Sequence, residues 1–570
     1  MKMPGSSSGL RVDLHRNRRI KGILTFLWLS ALIFCCLSAC INVGPNFSKP
    51  TAPVEKQWME SKDPRVSGRM PHDRDWWKVF DDSVLTRLID TAYQQNLQLQ
   101  IAGVRVLQAR AQLGIAIGQW YPQTQQTFGS ITQNEIGSGV GFGAYGASGG
   151  GSSGSGGTGS RSSATGATVV SNSSLSYKLS QIGVTASWEM DFWGKFQRAI
   201  ESAQMSLLSS VASYDSALVS LTADVATNYV TIRTIEERLR IAKENAEIQK
   251  ESLEIVQVRF NSGETSERDV KQALSQLNST LATIPQLQSD LQQSLNALSI
   301  LLGRPPASLD DLIFGPAVIP SAPSEVAVGI PIDLLRRRPD IRSAEFQAAA
   351  QSAQIGYAEA DLYPAFSLSG TFEVLATNIG SASLSDMFSW KNRLATVGPS
   401  FRWNIFNYGR IINNVRLQDA RFQELLITYR NLVLQAQQEV EDGLVSFLRA
   451  QEKTAFLTEA VAAAEGSVDL AMIQYREGAT DYTTVLTAQQ NLLTQQDSLA
   501  TTQGQIPQSL ISVYRALGGG WQIRLGQDFV SPDVQKEMAE RSNWDDLLQR
   551  KRLPSPKLGE RPMLPPAPQW

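Results

Sequence analysis

The sequence predicts a mainly α chain with a small β part, in which one helix–strand–strand–helix–helix unit is used twice. Three observations carry that expectation. Related motifs recur at fixed offsets, two proline-free stretches of 68 residues occupy matching places, and period-two alternation follows a Tyr-Pro step in each half.

The repeat comes first because it organises the rest. Arg110–Pro122 reads RAQLGIAIGQWYP and Ser352–Pro364 reads SAQIGYAEADLYP, with six identities in thirteen at an offset of 242. Further on, Trp188, Gly194 and Lys195 match Trp403, Gly409 and Arg410 at an offset of 215. Gly263 and Thr265 match Gly478 and Thr480 at the same offset, as Leu302-Gly303 matches Leu517-Gly518. In both halves 69 residues separate the first glycine landmark from the second and 40 the second from the third, spacing that points to internal duplication. The change of offset, 242 minus 215, is 27 residues and falls between Tyr121 and Trp188, where Gly137–Ser174 is rich in Gly and Ser. Such a stretch buries too little apolar surface to offset its ordering entropy, so the first half is expected to carry a mobile loop insertion. Within it, Gly141-Phe-Gly143-Ala-Tyr-Gly146 spells GxGxxG, but no βαβ unit surrounds it.

Lys195–Ser262 holds neither proline nor glycine over 68 residues, which as one helix is roughly 100 Å. Arg410–Glu477 is proline-free over the same length and is interrupted only by Gly443 and Gly466. Small and amide side chains abound on these rods, as in Gln435–Gln438 and Ala462–Ala464. Such faces allow close helix approach and can border water, but a solvated coiled-coil stalk without a lumen fits them equally.

After Tyr121-Pro122 and Tyr363-Pro364 the period changes to two. Phe366, Leu368, Gly370 and Phe372 share one strand face, and Val397, Phe401, Trp403 and Ile405 share another. Leu175, Tyr177 and Leu179 alternate in one parity and Ile182, Val184, Ala186 and Trp188 in the other, so a bulge or break is expected near Ser180. A weaker strand runs from Phe128 toward Asn134. Four strands per chain cannot close a membrane barrel, since lipid tolerates no open sheet edge and the smallest membrane barrels use about eight strands. If they span, several chains must share one barrel. Trp120, Tyr121, Trp188, Trp193, Trp403 and Tyr408 sit near strand ends, either as an interfacial girdle or as packing where helices meet strands.

The start of the chain is an address. Arg11, Arg16, Arg18, Arg19 and Lys21 precede the uncharged stretch Ile23–Cys36, the pattern of a secretory signal. Its fourteen residues fall short of the roughly 20 that span a bilayer, so removal is expected. Leu37-Ser38-Ala39-Cys40 resembles the bacterial lipobox, in which the cysteine is acylated and becomes the mature N-terminus. Asn42 is not the aspartate that typically retains lipoproteins at the inner membrane, so outer-membrane sorting is implied. Charge is 52 minus 54, or −2; without six Lys/Arg and one Asp of the leader it is 46 minus 53, or −7, which suggests no nucleic-acid surface. The mature chain would keep one histidine, His72, and one cysteine, so His-based catalysis and His/Cys metal sites are nearly excluded and no enzyme is expected.

Together the lipobox, the duplicated unit and the glycine-marked helix turns resemble the TolC-like outer membrane factor family, nearest its lipoprotein branch serving resistance-nodulation-division (RND) efflux systems. The likeness runs from Cys40 to about Trp521 and includes Gly44-Pro45-Asn46-Phe47 with Pro50, Trp76-Trp77 with Phe80, Arg338-Pro339-Asp340, Trp403–Arg410 and Leu517-Gly518-Gly519. It implies a homotrimer whose four strands per chain form a twelve-stranded outer-membrane barrel over a long α-helical coiled-coil tunnel in the periplasm. The implied function is passive conduction for a tripartite pump, with a periplasmic adaptor and an inner-membrane RND transporter as partners. An exit duct for type I secretion or metal export, or a non-conducting lipid-anchored scaffold, stays open. No cofactor is implied beyond the diacylglyceryl and N-acyl groups on Cys40. The expected segments are a signal peptide at 1–39, a lipid-anchored segment at 40–75, repeats at 76–320 and 321–521, and a partly disordered tail at 522–570 with a short helix over Asn543–Arg552.

The resemblance places the turns at Gly263 and Gly478 at the far periplasmic end, where such channels narrow and meet the adaptor. Tyr475, three before Gly478, matches the place of a gate tyrosine, and Phe260 is its counterpart in the first half. TolC itself has an arginine two after this glycine and carboxylates six and nine after; here Thr480, Thr484 and Thr487 stand there. Glu264, Asp269, Glu477 and Asp481 lie near the same turns, and any that face the axis would form a ring of like charge, whereas Asp481 also suits a helix cap.

Overall fold

With nothing to interrupt it, the stretch after Gly194 forms a single α-helix, Lys195–Asn261 (α3), and its counterpart Arg410–Arg476 (α6) has the same 67 residues. Each turns back into a 35-residue helix, Glu267–Leu301 (α4) and Tyr482–Ala516 (α7). The structure is a computed structural model and describes residues 42–69, 74–136, 175–307, 309–313, 315–333, 337–377, 387–544 and 547–548. Cys40, His72, the Gly/Ser-rich stretch Gly137–Ser174 and the proline-rich end Leu564–Trp570 lie outside the described residues. Among the described residues no helix is long and apolar enough to cross a membrane, which leaves a β-barrel untouched.

Shorter helices lead into the strands. Ser83–Gln95 (α1) starts at Asp82, whose carboxylate accepts from the amides of Val84 at 2.8 Å and Leu85 at 3.0 Å. Leu97–Gly118 (α2) is capped likewise by Asn96. Pro339–Glu359 (α5) begins with proline at its first turn. The preceding Arg338 ties it to α6 through Glu439 at 2.6 Å and to the end of α7 through the Ala516 carbonyl at 2.8 Å. The main core gathers where α1, α3, α6 and α7 meet around Trp76, which stacks on Tyr514 at 5.4 Å. Toward the far helix turns the apolar cluster is small, and the α3–α7 seam carries polar pairs as well, Asn245 with Gln496 and the Ser252 hydroxyl with the Gln489 amide.

Strands Thr124–Ile136 (β2), Leu175–Met190 (β3), Ala365–Thr377 (β5) and Arg393–Arg402 (β6) form one antiparallel sheet in the order β2-β3-β5-β6. A parallel bridge of Val66–Ser67 (β1) with Val326–Ala327 (β4) was not legible in the sequence and joins the leading segment to the link between the halves.

Two expectations are corrected. No bulge interrupts β3: its pairing with β2 keeps one register from Leu175↔Ile136 to Ser187↔Thr124, and its pairing with β5 does the same. The parity switch near Ser180 is a change in which face is apolar, not an inserted residue. Strand β6 ends at Arg402, so Trp403 and Ile405 are not part of its face; the Trp403 indole donates to the Leu362 carbonyl at 2.9 Å and turns the chain toward α6. In the tail the described helix is Pro532–Arg541 (α8), where Val530 and Met538 find apolar cover against Leu107 of α2, while most of the helix expected over Asn543–Arg552 lies outside the described residues.

The leading segment is pinned at its end by Arg65, which bonds Asp63 and reaches Glu452 of α6 at 3.0 Å. The hydrogen bond from Arg65, added to its charge, holds the Asp63 carboxyl at about 2 against the lift of desolvation. A depressed carboxylate stabilises the fold above its ordinary range and loses that contribution as pH falls through the folded value. Acidification from pH 5 to pH 2 is therefore expected to lower the protection of the amides at 63–67, measured against intrinsic exchange at each pH, before the helical core melts, and protection that stays flat across that window refutes it.

Candidate functional site

Two regions can act: the far helix turns and the sheet. At the turns the chain reverses in five residues in each half, 262–266 and 477–481. Gly263 takes a φ of 79° and Gly478 one of 73°, a left-handed conformation that spares a glycine the Cβ clash. Each closes a paired cap of the preceding helix: Gly263 donates to Phe260 O and Glu264 to Arg259 O, while Gly478 donates to Tyr475 O and Ala479 to Gln474 O. Asp481 caps α7, accepting from the Thr484 amide at 3.3 Å and its hydroxyl at 3.0 Å.

The sequence counterparts part company here. Tyr475 is 3% exposed with its ring edge against Tyr482 at 5.4 Å, whereas Phe260 is 40% exposed. Burial pushes the Tyr482 phenol up to about 12. Between them stands Arg259, which sequence reasoning missed. Its guanidinium donates to the carbonyls of Tyr475 at 2.6 Å and Arg476 at 2.8 Å, lies over the Tyr475 ring at 4.9 Å and pairs with Glu264 at 3.4 Å. A cation there answers the negative end of α6 and locks one turn to the other. The signal that could have found it is asymmetry, since the matching residue 215 later is Gln474. Asp269 is buried; desolvation raises its carboxyl, but hydrogen bonds from Thr265 and Arg268 outweigh that and hold it low. Glu264, Glu477 and Asp481 are exposed.

The sheet has two unlike faces, set by register. Ile182, Val184, Ala186 and Trp188 of β3 stand opposite Phe366–Val374 of β5 in one parity, with Val397, Pro399 and Phe401 of β6 beside them. The other face carries Thr185, Ser187, Ser369, Thr371, Glu373, Thr396 and Ser400. Apolar side chains stand open: Val397 is 80% and Val184 50% exposed. Tyr177 and Leu179 fall on the polar face toward its far end, which explains the parity switch. Strands β2 and β6 are the sheet's two edges. At the near end, indoles bind helix to strand: Trp188 donates to Trp120 O at 3.2 Å, and Trp193 to Pro364 O at 2.9 Å while stacking on Tyr363. Tyr408 is fully exposed.

Known proteins share this plan. The sequence profile described as outer membrane efflux protein matches residues 88–304 and 330–519. The pyoverdine export outer membrane protein OpmQ of Pseudomonas aeruginosa is 31% identical over 498 residues, 85% of this chain and 96% of that protein. Nodulation protein T of Rhizobium leguminosarum bv. viciae is 28% identical over 87% of this chain and 94% of its own length. The solved outer-membrane channel OprN superposes with a TM-score of 0.74 at 29% identity, over 84% of this chain and 100% of that one. With a profile spanning most of its length and relatives aligned nearly end to end, the chain belongs to the outer membrane efflux protein family.

Proposed function

We propose that three copies of this chain, each an internally duplicated unit of two repeats, join their four-stranded sheets edge to edge into a twelve-stranded barrel. The helices then continue as a periplasmic tunnel that passively conducts small molecules handed over by an adaptor and an inner-membrane transporter. One observation carries the reading: a sheet with an exposed apolar face, a hydroxyl-rich face and two edges suits a wall between lipid and water. Closure with β2 of one copy against β6 of the next satisfies the edges, and the hydroxyl face then lines the pore. Protein purified in detergent is expected to run as a trimer and to give discrete conductance steps in a planar bilayer; a monomer that never conducts, as a lipid-anchored scaffold would be, refutes the proposal.

In the same reading Cys40 carries the lipid, and the turns at Gly263 and Gly478 form the narrow end that meets the adaptor. Phe260, Glu264 and Asp481 stand exposed there for that contact, while Tyr475 and Arg259 hold the end shut. Cys40→Ser is expected to remove acylation, read by mass spectrometry of the mature N-terminus, and to lower recovery in the outer membrane severalfold. Undiminished acylation of that variant removes the lipoprotein assignment.

A further inference from the structure

One row of the sheet departs from the rest of its hydroxyl face. Register sets Phe128 of β2, Gly183 of β3, Glu373 of β5 and Leu394 of β6 side by side on that face. Strands β3 and β5 approach so closely there that a Cβ on Gly183 would lie 2.6 Å from Glu373 Cβ and 2.6 Å from Phe372 O, so only glycine fits beside the acid. Glu373 is 4% exposed. Among the described residues no hydrogen bond or ion pair reaches its carboxylate. Within the described strands the other charged residues of this face are Glu189 and Arg402, and both stand at the helix end of the sheet. Arg393 is near in sequence register but lies on the opposite face, where it is spent on the Trp390 ring and carbonyl.

We infer that Glu373 is a cation-binding residue of the pore wall, and that its three copies form a cation-preferring band inside the barrel, separate from the helix tip. The inference rests on the proposed trimeric barrel. A carboxylate withdrawn from water without a partner is costly, and an acid in a membrane-spanning segment is retained where it faces a water-filled space or meets a cation. The chain's own charges on this face are too far away to answer it. Glu189 stands opposite Ser367, and Glu373 is 373 minus 367, or 6, residues further along β5. That is roughly 20 Å of strand, beyond the Debye length of about 8 Å at physiological salt. The tip lies farther still, by the 67 residues of α3. The partner therefore comes from the pore, as an inorganic cation or as the ammonium group of a passing solute. In the next row of the same face Thr185 and Thr371 pair their hydroxyls at 3.2 Å, and with Thr396 they offer oxygens to the hydration shell of such a cation.

Reversal potentials of the full-length protein in planar bilayers, in gradients of potassium chloride and of tetramethylammonium chloride, test the site. The wild type is expected to pass both cations in preference to chloride, and Glu373→Gln to lower each cation-to-chloride permeability ratio severalfold while still yielding heat-resistant trimer. Glu373→Asp, which keeps the charge and withdraws it by one methylene, is expected to fall between the two. A loss confined to one of the salts assigns the band to that class of cation. Ratios that Glu373→Gln leaves unchanged in both salts overturn the site, whatever selectivity the tip supplies. If Glu373→Gln does not assemble, crystals of the wild type soaked in a thallium(I) salt decide instead: anomalous density beside the Glu373 carboxylate is expected, and its absence overturns the site. A wild type that never forms a conducting trimer removes the barrel reading itself, whereas a conducting channel indifferent to Glu373→Gln removes this inference alone.

Discussion

Val397→Arg and Thr396→Arg, neighbours in the middle of edge strand β6, are expected to behave as opposites. Val397 lies on the apolar face and Thr396 on the hydroxyl face, and both are exposed in the single chain. A soluble protein would tolerate arginine at either place. In a barrel wall, arginine on the lipid side near the midplane costs about 2–4 kcal/mol per copy, and symmetry repeats that cost in every subunit. Val397→Arg should therefore leave little heat-resistant oligomer in the outer-membrane fraction. Thr396→Arg should assemble in near-normal amount and shift the pore toward anions, read as a reversal-potential change in a salt gradient. Equal yields of the two variants would sink the lipid-facing assignment, whatever their absolute level.

Arg259→Ala is the second large effect, this time on gating. The side chain is 18% exposed and spends its donors on the last carbonyls of α6, its face on Tyr475 and its charge on Glu264. Hydrogen bonds from a charged donor contribute about 1.5–3 kcal/mol each where they are sheltered, and less where solvent reaches them. A combined loss of about 1.5–3 kcal/mol moves a two-state equilibrium roughly ten- to a hundredfold. Single-channel recordings should show the open fraction rising by that factor, with Arg259→Lys in between because lysine cannot span both carbonyls and stack as a plane. Tyr475→Ala should raise conductance as well, since it removes the ring that Arg259 covers. A closed state of unchanged dwell time in both variants takes this turn out of the gate.

Much of the architecture lies open in the chain itself, because it is written in local rules. Absence of proline over 68 residues, with only Gly443 and Gly466 to interrupt the second stretch, leaves little but a long helix, and α3 and α6 run as expected. Period-two alternation marks β3, β5 and β6, and glycine at 263 and 478 marks the turns, since a positive φ is a property of one residue. Strand count against the demand for sealed edges already argues for several copies. What pattern alone misjudged were places where two local readings are equivalent until a neighbour is present. A change of parity near Ser180 reads as a bulge until β2 and β5 lie alongside in one unbroken register. Tyr475 and Phe260 each stand three residues before a turn glycine, and only the packing of α3 against the end of α6 buries the first and exposes the second. Arg259 looks like an ordinary helix cation. Its carbonyl partners lie 216 and 217 residues away, and a long-range hydrogen bond leaves no period in the sequence to be read.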